Sequence, residues 1–172
     1  MEIWDLYDKD RKPLGRTHVR GQEMDAGTFH LVVHVCLFND KDQLLIQKRQ
    51  PFKKGWSGMW DISVGGSAVS GDDSRQAAER EAKEELGIDL DLSDEMPRFT
   101  INFDNGFDDY WMTEYLGSIE DLTLQASEVE DARWVNKEEL MALVDQGVFV
   151  PYFFIHQIFD LYKRKGAIHD PE

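Results

Sequence analysis

The chain is short of cysteine, of proline and of positive charge, and each shortage narrows what it can be. A single cysteine, Cys36, in 172 residues excludes an internal disulfide and any cysteine-only metal site. No apolar run approaches the roughly 20 residues of a membrane-spanning helix. The opening MEIWDLYDKDRK has neither the basic start nor the apolar stretch of a secretory signal, so the expected compartment is the cytoplasm. Lys+Arg number 19 against Asp+Glu 34, a net charge of −15. Such a surface repels nucleic-acid phosphates and anionic lipid, so neither a nucleic-acid polymer nor a membrane is expected as a partner. With 5 prolines, no repeat and no Pro/Gly/Ser linker, nothing divides the chain, and one domain over residues 1–172 is expected. What is present suffices for a core: 41% of residues are hydrophobic and 12% aromatic, which argues against disorder. An acidic excess can be a mere solubility device, but carboxylates also collect divalent cations, so their clustering matters.

Residues 3–7 read as a short strand of an N-terminal extension (1–27), followed by a turn at Asp8–Pro13. FHLVVHVCLF (29–38) reads as a buried strand, Asn39–Asp42 as a turn, and QLLIQK (43–48) as the returning strand of a hairpin. The loop GWSGMW leads to a strand at Asp61–Val64. SRQAAEREAKEEL (74–86) is the clearest helix, with Ser74 as N-cap and Gly87 as stop. Arg98–Phe103 and Asp109–Leu116 read as strands joined by the turn DNGFD, and Arg133–Val135 as a short strand. Asn136 and Glu139 form a capping box for a helix to about Val144, and Pro151–Lys165 is a final helix stopped by Gly166. Mixed strands with helices at intervals predict an α/β (α+β) sandwich.

At 100° per residue the 74–86 helix sets Ala78, Ala82 and Leu86 on one apolar stripe. Glu81, Glu84 and Glu85 share the adjoining face, while Glu79 and Lys83 form an i,i+4 pair elsewhere. Like charges at this spacing repel, and they sit toward the negative end of the helix dipole. Two readings stand: a solvated acidic face, or ligands for a hard divalent cation such as Mg²⁺ or Mn²⁺.

The surroundings of that face read Gly66, five residues, Asp72, seven residues, then Arg80-Glu81-Ala82-Lys83-Glu84-Glu85-Leu86-Gly87-Ile88. This resembles the Nudix box, G-x5-E-x7-R-E-U-x-E-E-x-G-U, with Asp72 where glutamate is usual and the small Ala82 at the first aliphatic position. With the flanking hairpin and the WVNKEEL segment, the resemblance spans roughly residues 28–145, the expected core, ahead of a C-terminal helix at 151–166. It implies an α/β/α sandwich with a mixed sheet and a loop–helix–loop motif that binds divalent metal at a diphosphate. It further implies that Glu81, Glu84 and Glu85 are metal ligands, with one of them serving as base, and that the Gly65 carbonyl is a further ligand. Arg80 would orient the glutamates, and Gly66 and Gly87 would serve backbone shape. Asp72 is one methylene shorter than usual, which leaves open whether it meets metal or Arg80. The implied reaction is metal-assisted hydrolysis of a diphosphate in a nucleoside-diphosphate-type or related small molecule. A second copy, forming a homodimer, is the other partner considered.

In KRQPFKK (48–54), Lys48, Arg49, Lys53 and Lys54 read either as phosphate capture at the mouth of the site or as a solvated hairpin end. Trp56 and Trp60 either stack on substrate or pack behind the box, with packing the expected reading. Glu128, Glu130 and Asp131 read as an acidic loop ahead of ARWV, where related hydrolases place an extra acid. The stretch from His30 through WSGMWDISVGG is also similar to isopentenyl diphosphate isomerases, Nudix-fold enzymes that move a proton. Aligned on Trp60, the isomerase cysteine, glycine and histidine fall on Gly65, Gly66 and Ser67. An isomerase metal histidine falls on His30, but its partner falls on Glu23, with His18 out of register. His30, His34 and Cys36 are therefore expected to be strand residues, and a hydrolase site within isomerase-like surroundings is the reading adopted. A binding module that kept the fold is the remaining alternative.

Overall fold

The computed structural model of the chain describes residues 2–164. An N-terminal hairpin pairs β1 (Ile3–Tyr7) antiparallel with β2 (Pro13–Val19). β2 is not among the expected strands, because its side chains are mostly exposed and leave no alternation to read. The main sheet is built on β3 (His30–Phe38), which runs parallel to β8 (Gly106–Glu114) over its full length. β7 (Phe99–Phe103) extends that edge, and β6 (Val64–Ser67) lies antiparallel along β3. Beyond β3 stand β4 (Leu44–Arg49) and, paired to it, β5 (Trp60–Ile62) and β9 (Val129–Val135). β9 starts four residues before the expected strand and takes in Glu130 and Asp131.

Two expected features are corrected by the pairing. β3 and β4 meet as a hairpin only at Phe38↔Leu44 and then diverge. The expected strand 61–64 is two strands that serve these diverging partners, split at Ser63. That buried hydroxyl accepts from Leu37 N–H and donates to the Leu45 carbonyl, tying β3 to β4 where their backbones no longer reach each other.

Residues on β3 alternate between two cores, as the strand period requires. Leu31, Val33, Val35 and Leu37 pack with Ala77, Ala78, Ala82 and Leu86 of α1 (Ser74–Leu86). Cys36 and Phe38 face the opposite layer, with Leu140 and Leu143 of α2 (Lys137–Asp145) and Ile158 and Phe159 of α3 (Ile158–Lys163). The result is the expected α/β/α arrangement around a mixed sheet. Helix α1 is capped by Asp73 rather than Ser74. Asp73 accepts from Gln76 N–H and Gln76 accepts in return, while the Ser74 hydroxyl accepts from the Trp111 indole. Glu79 and Lys83 do not pair: Glu79 takes Leu92 N–H and Lys83 takes Asp89. Gly87 adopts φ 73°, the left-handed conformation that ends the helix, as expected. The final segment is shorter than the expected 151–165 helix. A 3₁₀ turn at Ile155–Gln157 precedes α3, because Tyr152 and Phe154 are held against Tyr110 before any helix starts. Lys165 and Gly166 lie outside the described residues. No helix among the described residues is long and apolar enough to cross a membrane.

Candidate active site

Strand β6 carries Gly65 and Gly66 between β3 and α1, and neither position has room for a side chain. A Cβ on Gly66 would lie 2.2 Å from the Glu81 carboxyl carbon, and one on Gly65 would lie 2.4 Å from the His34 ring. The glycine pair thus lets the α1 carboxylates press onto backbone. Below it, His34 is fixed by Asp108 at 2.7 Å and stacks on Tyr110.

Glu85 is 5% exposed and accepts from the Gln47 side chain at 2.9 Å and from Gly65 N–H at 3.2 Å. Burial, reinforced by the charge of Glu81, pushes its pKa up to about 8 despite those two donors. Burial likewise raises Glu81 to about 7, against the pull of Arg80. Arg80 spreads its guanidinium across the box: Nε donates to Asp72, Nη1 to Glu81 and Glu84, and Nη2 to the Ser67 carbonyl. Burial opposes its charge, but these carboxylates outweigh it and raise its pKa. The shorter Asp72 therefore reaches Arg80, at 2.8 Å. Glu84 is half exposed and engaged only by Arg80 among the described residues.

The three glutamates line a cleft of about 130 Å³ together with Gly65 and Gly66. Arg20, Arg49 and Lys53 line the same cleft. Arg49 reaches Asp61 only at 3.4 Å, and its Nε is buried with no acceptor among the described residues. Lys53 pairs with Glu128, which also lines the cleft. The other two basic candidates are elsewhere: Lys48 is drawn to Glu130 at 2.8 Å, and Lys54 is exposed away from the cleft. Alternation along β4 separates Arg49 from Lys48, while Lys53 and Lys54 lie beyond that strand. Trp60 packs under the Arg133 guanidinium, 4.5 Å from it, in the core layer opposite the box helix and not behind the box, and Trp56 is 53% exposed at φ 49°.

Among the described residues, no three His, Cys, Asp or Glu side chains stand together as a ready cation cage. The donor chemistry nonetheless fits Mg²⁺ or Mn²⁺. Glu81 and Glu85 are hard oxygen donors whose pKa is raised by desolvation, and Glu84 and Gly65 line the same cleft. Gln47, Glu2 and Arg20 are site residues that the sequence did not disclose. Gln47 had one signal, a polar residue inside the apolar run LLIQ.

The sequence model of the NUDIX domain matches residues 28–154. The chain belongs to the Nudix family. An uncharacterized Nudix hydrolase of Listeria monocytogenes is 54% identical over 98% of this chain and 99% of its own length. An isopentenyl-diphosphate Delta-isomerase of Salmonella heidelberg is 30% identical, over 79% of this chain and 72% of that protein. In fold, a crystal structure from Deinococcus radiodurans superposes with TM-score 0.74 at 21% identity, over 95% of this chain and 100% of that one. The Nudix match takes in the box, β9 and α2 but leaves out the N-terminal hairpin, so Glu2 and Arg20 enter the cleft from outside it.

Proposed function

We propose that this Nudix protein hydrolyses a diphosphate linkage in a small molecule, of nucleoside-diphosphate or related type, with Mg²⁺ or Mn²⁺ held by Glu81, Glu84, Glu85 and the Gly65 carbonyl. The observation that supports the reading best is that Glu81, Glu84 and Glu85 line one small cleft together with Arg20, Arg49 and Lys53. When bound, the metal supplies neutralisation of phosphate charge and acidification of water. The chain's own residues do the rest. Arg49, with a donor lacking an acceptor among the described residues, and Lys53, held only by a partly exposed Glu128, bind phosphate oxygens. Arg80 fixes Glu81 and Glu84 in place, and Gln47 fixes Glu85. One of these glutamates would take the proton from water and release it again.

Sites that enclose a drug-sized molecule run to about 300–1,000 Å³. At about 130 Å³ this cleft suits the diphosphate group, with the organic part left at the mouth. Isomerase chemistry lacks its residues here: Gly65 and Ser67 stand at the cysteine and histidine positions. Cys36 cannot substitute, because it lies on the opposite core with its thiol pKa raised by burial. A screen of diphosphate compounds with Mg²⁺ and Mn²⁺, reading released phosphate products, tests the proposal. Activity is expected to vanish in chelator and to fall at least about 10²-fold in Glu85→Gln. Full activity in excess chelator would overturn the metal-dependent reading, and turnover of isopentenyl diphosphate to its isomer would overturn the exclusion of the isomerase.

A further inference from the structure

The N-terminal hairpin is fastened to the domain at every level. Arg11 makes a bidentate ion pair with buried Asp109, Nη1 and Nη2 donating at 2.9 and 2.7 Å. Trp4 stacks on His30, with ring centroids 4.1 Å apart. Asp5 accepts from the Ser70 hydroxyl at 2.7 Å and from Gly71 N–H at 2.8 Å, both in the loop between Gly66 and Asp72. The hairpin therefore clasps the segment that enters the box. Its open end brings Glu2 and Arg20 into the cleft beside Glu81 and Glu84. There Nη1 of Arg20 donates to both Glu2 oxygens, at 2.9 and 2.7 Å. Nε and Nη2 make no hydrogen bond among the described residues. Both groups of this pair are about half exposed.

We infer that Arg20 is a phosphate-binding residue of the cleft, held ready by Glu2, which gives it up when a diphosphate enters. The inference rests on the hydrolase reading above and deepens it by assigning a substrate contact to a hairpin outside the family-matched segment. An exposed ion pair is worth little in water, so exchanging Glu2 for phosphate sacrifices little. A guanidinium fork offers phosphate the paired donors that a single bridging Nη1 does not use. Lys53 with Glu128 is a second such pair lining the same cleft.

The two members of the pair must then act with opposite signs. Binding of methylenediphosphonate, a diphosphate that cannot be hydrolysed, is measured calorimetrically on the full chain in Mg²⁺ at 0.15 M salt. Arg20→Ala is expected to weaken it about tenfold, the worth of one charge-assisted contact, and Glu2→Gln to tighten it about threefold. The Arg16–Asp25 pair, at 3.2 Å on the same extension, does not line the cleft and is the charge-matched control. Arg16→Ala and Asp25→Asn are expected to change affinity less than twofold, because salt screens distant charge. Equal shifts from both pairs would reduce the effect to long-range charge and overturn the inference. So would weakening by both Arg20→Ala and Glu2→Gln, the mark of a purely structural pair. Loss of binding in Arg49→Ala with Arg20→Ala unchanged would overturn Arg20 alone and leave the hydrolase reading standing. No binding by the wild-type protein would overturn both.

Discussion

Glu85→Gln should make the metal-free protein more stable while destroying its response to metal. In the folded chain Glu85 titrates at about 8, whereas an unfolded glutamate titrates near 4.3. A raised folded pKa means that the folded state favours the protonated form. Its contribution is therefore whole below about pH 4 and is lost progressively as pH rises to 8. Each pH unit in that window costs about 1.4 kcal/mol, so at pH 7 the wild type carries a penalty of order 3 kcal/mol that glutamine does not. The isosteric amide keeps an oxygen for Gln47 and Gly65, so the fold loses no acceptor. For a chain of 172 residues 1 kcal/mol moves Tm by roughly 2–4 °C. In chelator the variant should melt roughly 6–12 °C above wild type at pH 7, slightly more at pH 8, and level with it near pH 4. A hundredfold excess of Mn²⁺ over its Kd should close most of that gap at pH 7, since it adds about 2.7 kcal/mol to the protein that binds it and nothing to the variant. Scanning fluorimetry at three pH values, with and without Mn²⁺, reads all of this. Equal melting at pH 8 in chelator, or equal shifts with Mn²⁺, would refute the placement of a buried cation-binding carboxylate here.

Three further outcomes follow from other contacts. Gly66→Ala drives a Cβ into the Glu81 carboxylate, and displacement of about 1 Å at a site can cost about 10²-fold; kcat should fall by that order, together with the Mn²⁺-induced shift in Tm. Arg11→Ala leaves Asp109 buried with only Thr100 and its neighbours to satisfy it. This should cost about 3 kcal/mol in urea unfolding at pH 7. Because Arg11 and Thr100 together hold the Asp109 pKa low against its burial, the gap to wild type should close as pH falls below about 4. Burial depresses the His30 pKa to about 4, so this ring should subtract stability as pH falls from about 6.5 to 4, against the gain from Glu81 and Glu85 over the same range. His30→Phe, which keeps the stack on Trp4, should flatten that loss, and an unchanged pH profile would show that the ring is not held neutral.

Features written into local composition were legible, and features made by long-range contact were not. α1 could be read because its interior is made of strong helix formers and Gly87 stops it. The box could be read because its spacing places three carboxylates on one helix face. The α2 capping box announces itself in Asn136 and Glu139. By contrast, β2 buries almost nothing and carries no period. The Asp73 cap beat Ser74 because Trp111, far along the chain, claims the serine hydroxyl. PYFFIHQIFDLYK has a helical look that fails at its start, where Tyr152 donates to Asp61 and Phe154 packs edge-on to Tyr110. The pleat of β4 and its pairing with β9 decided that Arg49, and not Lys48, reaches the cleft. Arg20 had no local signal at all, since its significance depends on where the hairpin docks.

The seating of Gly65 on the His34 ring has a consequence for divergence within the Nudix fold. A cysteine at position 65 and the pinned imidazole at 34 compete for one volume. His34 cannot simply swing aside, being bonded to Asp108 and stacked on Tyr110. An evolutionary or laboratory route from this site toward proton-transfer chemistry therefore cannot begin with Gly65→Cys alone. The permissive step is the prior loss of the ring, and the two changes should show strong sign epistasis. Gly65→Cys should fold poorly in the native background and well once His34→Ala has opened the space. A histidine buried beneath the glycines thus acts as a ratchet, keeping the hydrolase-like state from drifting into its neighbour's chemistry one substitution at a time.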